Sequence, residues 1–131
     1  MSDITVLVVD DLPVILGLYQ DSFRIFFDWS VLQADGVQAA SRVLETEIQR
    51  IQAVVCDYQM GGPGKNGPDL FRLWAEKLAA RNIPFFLVTG GGGGDLPAGM
   101  IVVEKSIAMK EIGLLIQAEI VRGSHSTKLT T

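Results

Sequence analysis

Residues 53–60 read Ala53-Val54-Val55-Cys56-Asp57-Tyr58-Gln59-Met60. An uncharged apolar run that ends on a carboxylate reads as a strand buried on both faces, hence a central strand of a parallel sheet. A glycine-rich turn, Gly61-Gly62-Pro63-Gly64-Lys65-Asn66-Gly67, follows at once. In open α/β sheets ligands bind beyond the carboxyl ends of the strands, which is where this pattern puts Asp57. An aspartate there also suits a plain turn cap. The other strand ends have to decide.

Upstream, Ile4-Thr5-Val6-Leu7-Val8-Val9 is a second such run, and it ends on paired acids, Asp10-Asp11. Leu12-Pro13 opens a helix through about Phe26, with Pro13 in the first turn, where a missing N–H costs nothing. Ser30 to Ala34 is a short strand, and a helix runs from Val37 to about Gln49. Downstream, Pro68 begins a helix over Asp69 to about Arg81. It carries Leu70, Phe71, Leu73, Trp74 and Leu78 at helical spacing, a core stripe and not a cofactor box. Pro84 to Thr89 is the fourth strand and ends on a hydroxyl; Gly99 to Val103 is the fifth, followed by Glu104-Lys105. Ser106 is read as the cap of a last helix through about Arg122, with Gly123 as its stop.

Strands and helices alternate over short connections, so the fold class is α/β: a doubly wound, five-stranded parallel sheet with helices on both faces. With 131 residues, 48% of them hydrophobic, there is one domain, expected over residues 1–123, and a polar tail over 124–131. No apolar run has the length of a membrane span, and Met1-Ser2-Asp3 lacks the basic flank of a signal peptide, so a cytoplasmic protein without a membrane partner is expected. The one cysteine, Cys56, lies inside a strand and reads as a buried structural thiol. A net charge of −4 argues against a nucleic-acid partner. A single histidine, His125 in the tail, gives histidine catalysis and zinc ligation almost nothing to build with.

Four of the five strands thus end in reactive groups: Asp10-Asp11, Asp57, Thr89 and Lys105. Parallel strands put all their carboxyl ends on one edge, where these groups converge. Three carboxylates about 5 Å apart repel by roughly 3 kcal/mol per pair at an effective dielectric near 20. A hard divalent cation offsets that, and Mg²⁺ accepts one or two carboxylates together with water and phosphate oxygens. With Lys105 as a fixed positive charge, the edge is suited to a phosphoryl group.

In order and spacing these residues resemble the receiver domains of two-component response regulators, including the single-domain chemotaxis type. Asp10-Asp11, Asp57 with Met60 three residues on, Gly67 opening a helix, Thr89 and Lys105 carry the resemblance, which covers Ile4 to about Arg122. It implies the flavodoxin-like strand order 2-1-3-4-5. It also implies that Asp57 accepts a phosphoryl group from a histidine kinase, a phosphotransfer protein or a small phosphodonor. By the same resemblance Asp11, Asp57 and the backbone carbonyl of Gln59 bind Mg²⁺, Asp10 acts through water, and Thr89 and Lys105 hold phosphoryl oxygens. Such a chain is not an enzyme beyond its own phosphoryl transfer and autodephosphorylation, and its output is a switched contact with a downstream protein.

The chain also departs from that pattern. Ser106 follows Lys105 where a cis proline is usual. A non-proline cis bond costs about 3–4 kcal/mol, so a trans bond and a shifted lysine are expected. Val102 stands where a switch aromatic is expected, so burying and exposing an aromatic ring cannot be the readout. Gly90 to Gly94 are consecutive glycines, and only Gly90 to Ala98 separate the fourth and fifth strands. A helical crossover needs about 10–12 residues, and each glycine disfavours helix by roughly 0.5–1 kcal/mol. The fourth helix is therefore expected to be absent or a single turn. No Gly-Lys-Ser/Thr follows the run, which excludes a P-loop reading.

In the last helix Met109, Ile112, Leu115, Ile116 and Ile120 form a core stripe, and Ile107, Leu114, Ala118 and Val121 form a second, outer one. A helix apolar on two faces implies a homodimer or partner surface. The alternative to a phosphorylated receiver is a pseudo-receiver, the same fold used as a constitutive protein-interaction module. An aspartate-based phosphatase would need a second acid where Gln59 stands. A dinucleotide site would need glycines where Asp10-Asp11 stand.

Overall fold

In this computed structural model, residues 4–91 and 96–130 are described, with side chains as far as Gly123. The elements follow in the order β1 (Thr5–Val9), α1 (Pro13–Phe27), β2 (Ser30–Ala34), α2 (Val37–Glu47) and a 3₁₀ turn (Ile48–Arg50). Then come β3 (Ala53–Asp57), α3 (Gly67–Ala80), β4 (Phe85–Thr89), β5 (Ile101–Glu104) and α4 (Met109–Thr130). The strands form one parallel sheet in the order β2-β1-β3-β4-β5.

Alternation along the strands divides the core into two layers. Leu7, Val9, Val54, Cys56, Phe85 and Leu87 turn toward α2 and α3, which bring Ala40, Leu44, Leu70, Trp74 and Leu78. Val6, Val8, Val55, Phe86, Val88 and Val103 turn the other way, toward Leu16, Tyr19 and Phe23 of α1 and Ile112 and Ile116 of α4. With both faces covered, the central strands can carry no charge until they leave the sheet. That is why their first polar residues fall together at the carboxyl edge.

Among the described residues, none between Thr89 and Ile101 is helical, in keeping with the glycine argument. Gly92, Gly93 and Gly94 lie outside the described residues.

Several boundaries differ from expectation. Ser106 does not cap the last helix: the N–H of Ile107 bonds back to the Glu104 carbonyl at 3.1 Å, closing a turn, and α4 starts from the Ala108 carbonyl, which accepts the N–H of Ile112. Gly123 does not stop it either, since α4 continues to Thr130; a glycine inside a helix costs only about 1 kcal/mol. Leu115, read as core, is exposed, and so is Leu73 on α3, whereas Ile107 packs against the α1 and α4 layer. The core stripe of α4 is thus narrower, and its outer apolar face wider, than the periodicity alone suggested.

Gly113 fixes how closely α4 approaches α1. A Cβ there would lie 2.2 Å from Cε2 of Phe27. That ring is stacked on Trp29 with centroids 4.4 Å apart and meets Phe23 edge-on, so it has little room to move. Gly113→Ala gains about 1 kcal/mol of helix propensity but overpacks by about 2–3 kcal/mol. A net loss of about 1–2 kcal/mol in urea unfolding is expected; a stabilised variant would show that the aromatic cluster yields.

Candidate functional site

Asp10, Asp57, Thr89 and Lys105 are held by backbone pairing that runs one residue past a strand. Asp10 donates its N–H to the Ala34 carbonyl at 3.1 Å, Tyr58 to Val88 at 2.9 Å, and Lys105 to Thr89 at 2.9 Å. The Asp10, Asp57, Thr89 and Lys105 backbones are therefore fixed along one edge by the sheet itself. The loop after Asp57 is tied down by Asn66, whose Oδ1 accepts the N–H groups of Met60 at 3.0 Å and Gly62 at 3.3 Å. Asp69 Oδ2 accepts the Asn66 N–H at 3.0 Å. Asn66 was not singled out in the sequence, although Asn66-Gly67-Pro68-Asp69 carries a helix-start signature, a capping type with an acid three residues on.

Carboxylate oxygens of Asp10, Asp11 and Asp57 lie within 4.8 Å of one another, with Asp10 and Asp57 buried and Asp11 exposed. Lys105, expected to be shifted by a trans bond to Ser106, nevertheless reaches the acids. Lys105 Nζ stands 3.3 Å from Asp57 Oδ1, an ion pair between a half-exposed side chain and one only 6% exposed. The Lys105–Ser106 bond is trans, as no cis peptide occurs among the described residues; the flexible four-carbon stem reaches the acid without one.

Beside the acids a pocket of about 380 Å³ is lined by Asp57, Tyr58, Gln59, Thr89, Gly90, Gly91 and Lys105. Gln59 thus stands in the pocket wall with Thr89 and Lys105, next to the acid triad. The Thr89 hydroxyl is engaged: it donates to the Gly91 carbonyl at 3.1 Å and accepts the Gly91 N–H at 3.5 Å. Cys56 is buried beneath, and burial pushes its thiol well above the ordinary value, as expected of an inert structural cysteine.

The donor set fits a hard divalent cation. Among the described residues three carboxylates face one lysine, and every donor is oxygen. The electrostatics agree. Burial raises the Asp10 carboxyl above its usual value, against the Leu12 N–H, which bonds to Oδ1 at 3.0 Å. The charges of Asp57 and Asp11 raise it further, and Lys105 lowers it.

A carboxyl whose folded value is raised holds its proton more tightly in the native state than in the unfolded chain. Stability is therefore lost as pH rises from about 4 through that raised value. Asp10→Asn, which keeps an acceptor for the Leu12 N–H, is expected to raise Tm by about 3–5 °C at neutral pH in chelator. The gain should vanish as pH falls to about 4, and a variant no more stable at pH 7 would count against the crowding argument.

No family model matches the chain, and no curated protein matches it. Solved structures do. A response regulator receiver domain protein from Clostridium thermocellum superposes with TM-score 0.79 at 22% identity, over 98% of this chain and 99% of that one. A CheY-like receiver domain protein from Methanospirillum hungatei gives TM-score 0.80 at 20% identity, over 95% and 99%. A response regulator receiver protein from Sinorhizobium medicae gives 0.75 at 18%, over 92% and 96%. At these identities the likeness is one of fold: the chain has the receiver-domain fold over nearly its whole length.

Proposed function

We propose that this receiver-fold chain is a phosphoacceptor of a two-component phosphorelay, phosphorylated on Asp57 in a Mg²⁺-dependent reaction that switches a protein–protein contact. The observation that carries the reading is the meeting of Lys105 with Asp57 at 3.3 Å, beside three carboxylates gathered within 4.8 Å. Asp10, Asp11 and Asp57, with the backbone carbonyl of Gln59, would hold the Mg²⁺. When bound, the ion supplies neutralisation of the charge on the transferring phosphoryl group.

An Asp57 carboxylate oxygen attacks the phosphorus of a donor, a phosphohistidine of a histidine kinase or phosphotransfer protein, or a small acyl phosphate. The new O–P bond forms as the donor's bond to phosphorus breaks, and its electron pair leaves with the donor group. Lys105 then bonds a phosphoryl oxygen, and the Thr89 hydroxyl another. Positioning and charge account for catalysis of this kind, because the phosphoryl transition state needs little covalent help. Beyond this self-catalysed transfer and its hydrolysis the chain is not an enzyme. Leu114, Leu115, Ala118 and Val121, exposed on α4, are the surface for a homodimer or the downstream protein. No described helix is long and apolar enough to cross a membrane.

Two observations favour a second reading, the constitutive interaction module. Thr89 spends its only hydroxyl proton on the Gly91 carbonyl, and Val102 supplies no ring to read a change. The two readings separate on one experiment: intact-mass measurement after incubation with acetyl phosphate and Mg²⁺. A base-labile gain of one phosphoryl group, abolished by chelator, is expected. No gain, together with no Mg²⁺ binding by calorimetry, would leave the constitutive module.

A further inference from the structure

The two edge strands of the sheet differ. β5 carries Glu104 and runs into Lys105, whereas β2, at the other edge, reads Ser-Val-Leu-Gln-Ala over Ser30–Ala34. It has no charge and no proline, and its one-to-one pairing with β1 leaves no bulge. Charges, prolines and bulges are the devices that keep an edge strand from pairing with another chain.

The bonding of β2 to β1 fixes which of its groups face outward. Ser30 donates its N–H to the Ile4 carbonyl at 3.0 Å, and the Ala34 carbonyl accepts the Asp10 N–H at 3.1 Å. Backbone groups of successive residues point to opposite sides of a strand, so Ser30, Leu32 and Ala34 serve β1. The N–H and C=O of Val31 and Gln33 point to the free side, where no described residue bonds them. A second copy, antiparallel about a twofold axis at Leu32, satisfies all four. Val31 of each copy then exchanges both bonds with Gln33 of the other. Leu32 meets its own counterpart at the close, non-hydrogen-bonded position of an antiparallel pair, an apolar cross-strand contact.

The flanking charges suit the same register. At the amino end of β2, Arg24 lines a cleft of about 320 Å³ with Asp28, Trp29, Ser30 and Val31. Asp35 follows the carboxyl end. Arg24 and Asp35 are exposed, and neither makes an ion pair with a described residue. Centring the pair on Leu32 sets Asp35 of one copy opposite Trp29 of the other, beside Arg24, which then lies between two acids, Asp28 and the incoming Asp35. The twofold axis repeats this at the far end.

We propose that the free edge of β2 binds a second copy of the chain, β2 antiparallel to β2, joining two five-stranded sheets into one. No phosphoryl group on Asp57 is needed for this contact. It is tested on the unphosphorylated chain, and its failure leaves the phosphoacceptor reading as it stands.

Sedimentation velocity should show a dimer at about 1 mM that is largely dissociated at about 10 μM, the weak range of a short interface. Hydrogen exchange followed by NMR reads the register: raising the concentration should slow the Val31 and Gln33 amides, while those of Ser30, Leu32 and Ala34, already bonded to β1, change little. Arg24→Glu, which gathers three acids at each end, should weaken the dimer by about tenfold or more, and adding Asp35→Lys to it should restore the affinity. Gln33→Pro removes half of the intermolecular bonds at a position where an edge strand tolerates proline, and should abolish the dimer. Leu114→Lys on α4 should leave it as it was. A chain still monomeric at about 1 mM would overturn the proposal. So would new amide protection on β5 or α4 in place of β2, a dimer lost in Leu114→Lys, or a double variant no tighter than Arg24→Glu.

Discussion

Asp57→Asn is expected to eliminate the phosphoryl adduct, because an amide offers no anionic oxygen to form the O–P bond. The loss should be complete by intact mass at times when the unaltered chain is largely phosphorylated. The same change removes one of three clustered carboxylates and lowers the ligand charge, so Mg²⁺ affinity should fall by about tenfold or more. Calorimetry measures that separately from chemistry. Stability at neutral pH should move little, because two effects oppose each other. The repulsion among the acids is relieved, while Lys105 loses its 3.3 Å partner. An adduct that persisted in Asp57→Asn would assign the nucleophile to Asp10 or Asp11 and would remove Lys105 from its proposed role.

How far such a site can be read from sequence depends on what fixes each residue. The acids and Thr89 were legible because a strand covered on both faces is a charge-free run, and its first polar residue marks the sheet edge, whereas Lys105 follows the half-exposed edge strand β5, which already carries Glu104. That no described residue between Thr89 and Ile101 is helical was legible from chain length and glycine alone, neither of which depends on neighbours. The start of α4 was not. Whether Ser106 or Ala108 begins it turns on a bond between Ile107 and Glu104 that closes only when β5 is in place. The exposure of Leu73 and Leu115 was hidden for a related reason: periodicity marks an apolar face, but the neighbour that covers it belongs to the tertiary fold. Thr89 shows the remaining gap. Its position followed from the strand pattern, but its bond to the Gly91 carbonyl depends on a loop of glycines whose path no pattern specifies.

Gly67→Ala is expected to cost about 3 kcal/mol, at the upper end of overpacking, and to lower Tm by about 10 °C or more. A Cβ at this position would stand 2.6 Å from the Asp57 carbonyl oxygen, 2.6 Å from a Leu87 methyl and 3.3 Å from Cys56 Sγ. Leu87 could turn, but the carbonyl is backbone of β3, held between β1 and β4. Gly67 also donates its N–H to the Tyr58 carbonyl at 2.8 Å, so the start of α3 cannot simply back away. Helix propensity returns little, since Gly67 is the first residue of α3. The strain therefore falls on the end of β3, where the Asp57 carboxylate must meet Lys105. The variant should phosphorylate more slowly even at temperatures where it is fully folded, because small displacements of a reacting group are costly. Urea unfolding gives the first effect and intact-mass time courses the second. A variant that lost stability but phosphorylated at the unaltered rate would show that β3 absorbs the methyl without moving Asp57, and the close approach of α3 would then be a packing feature alone.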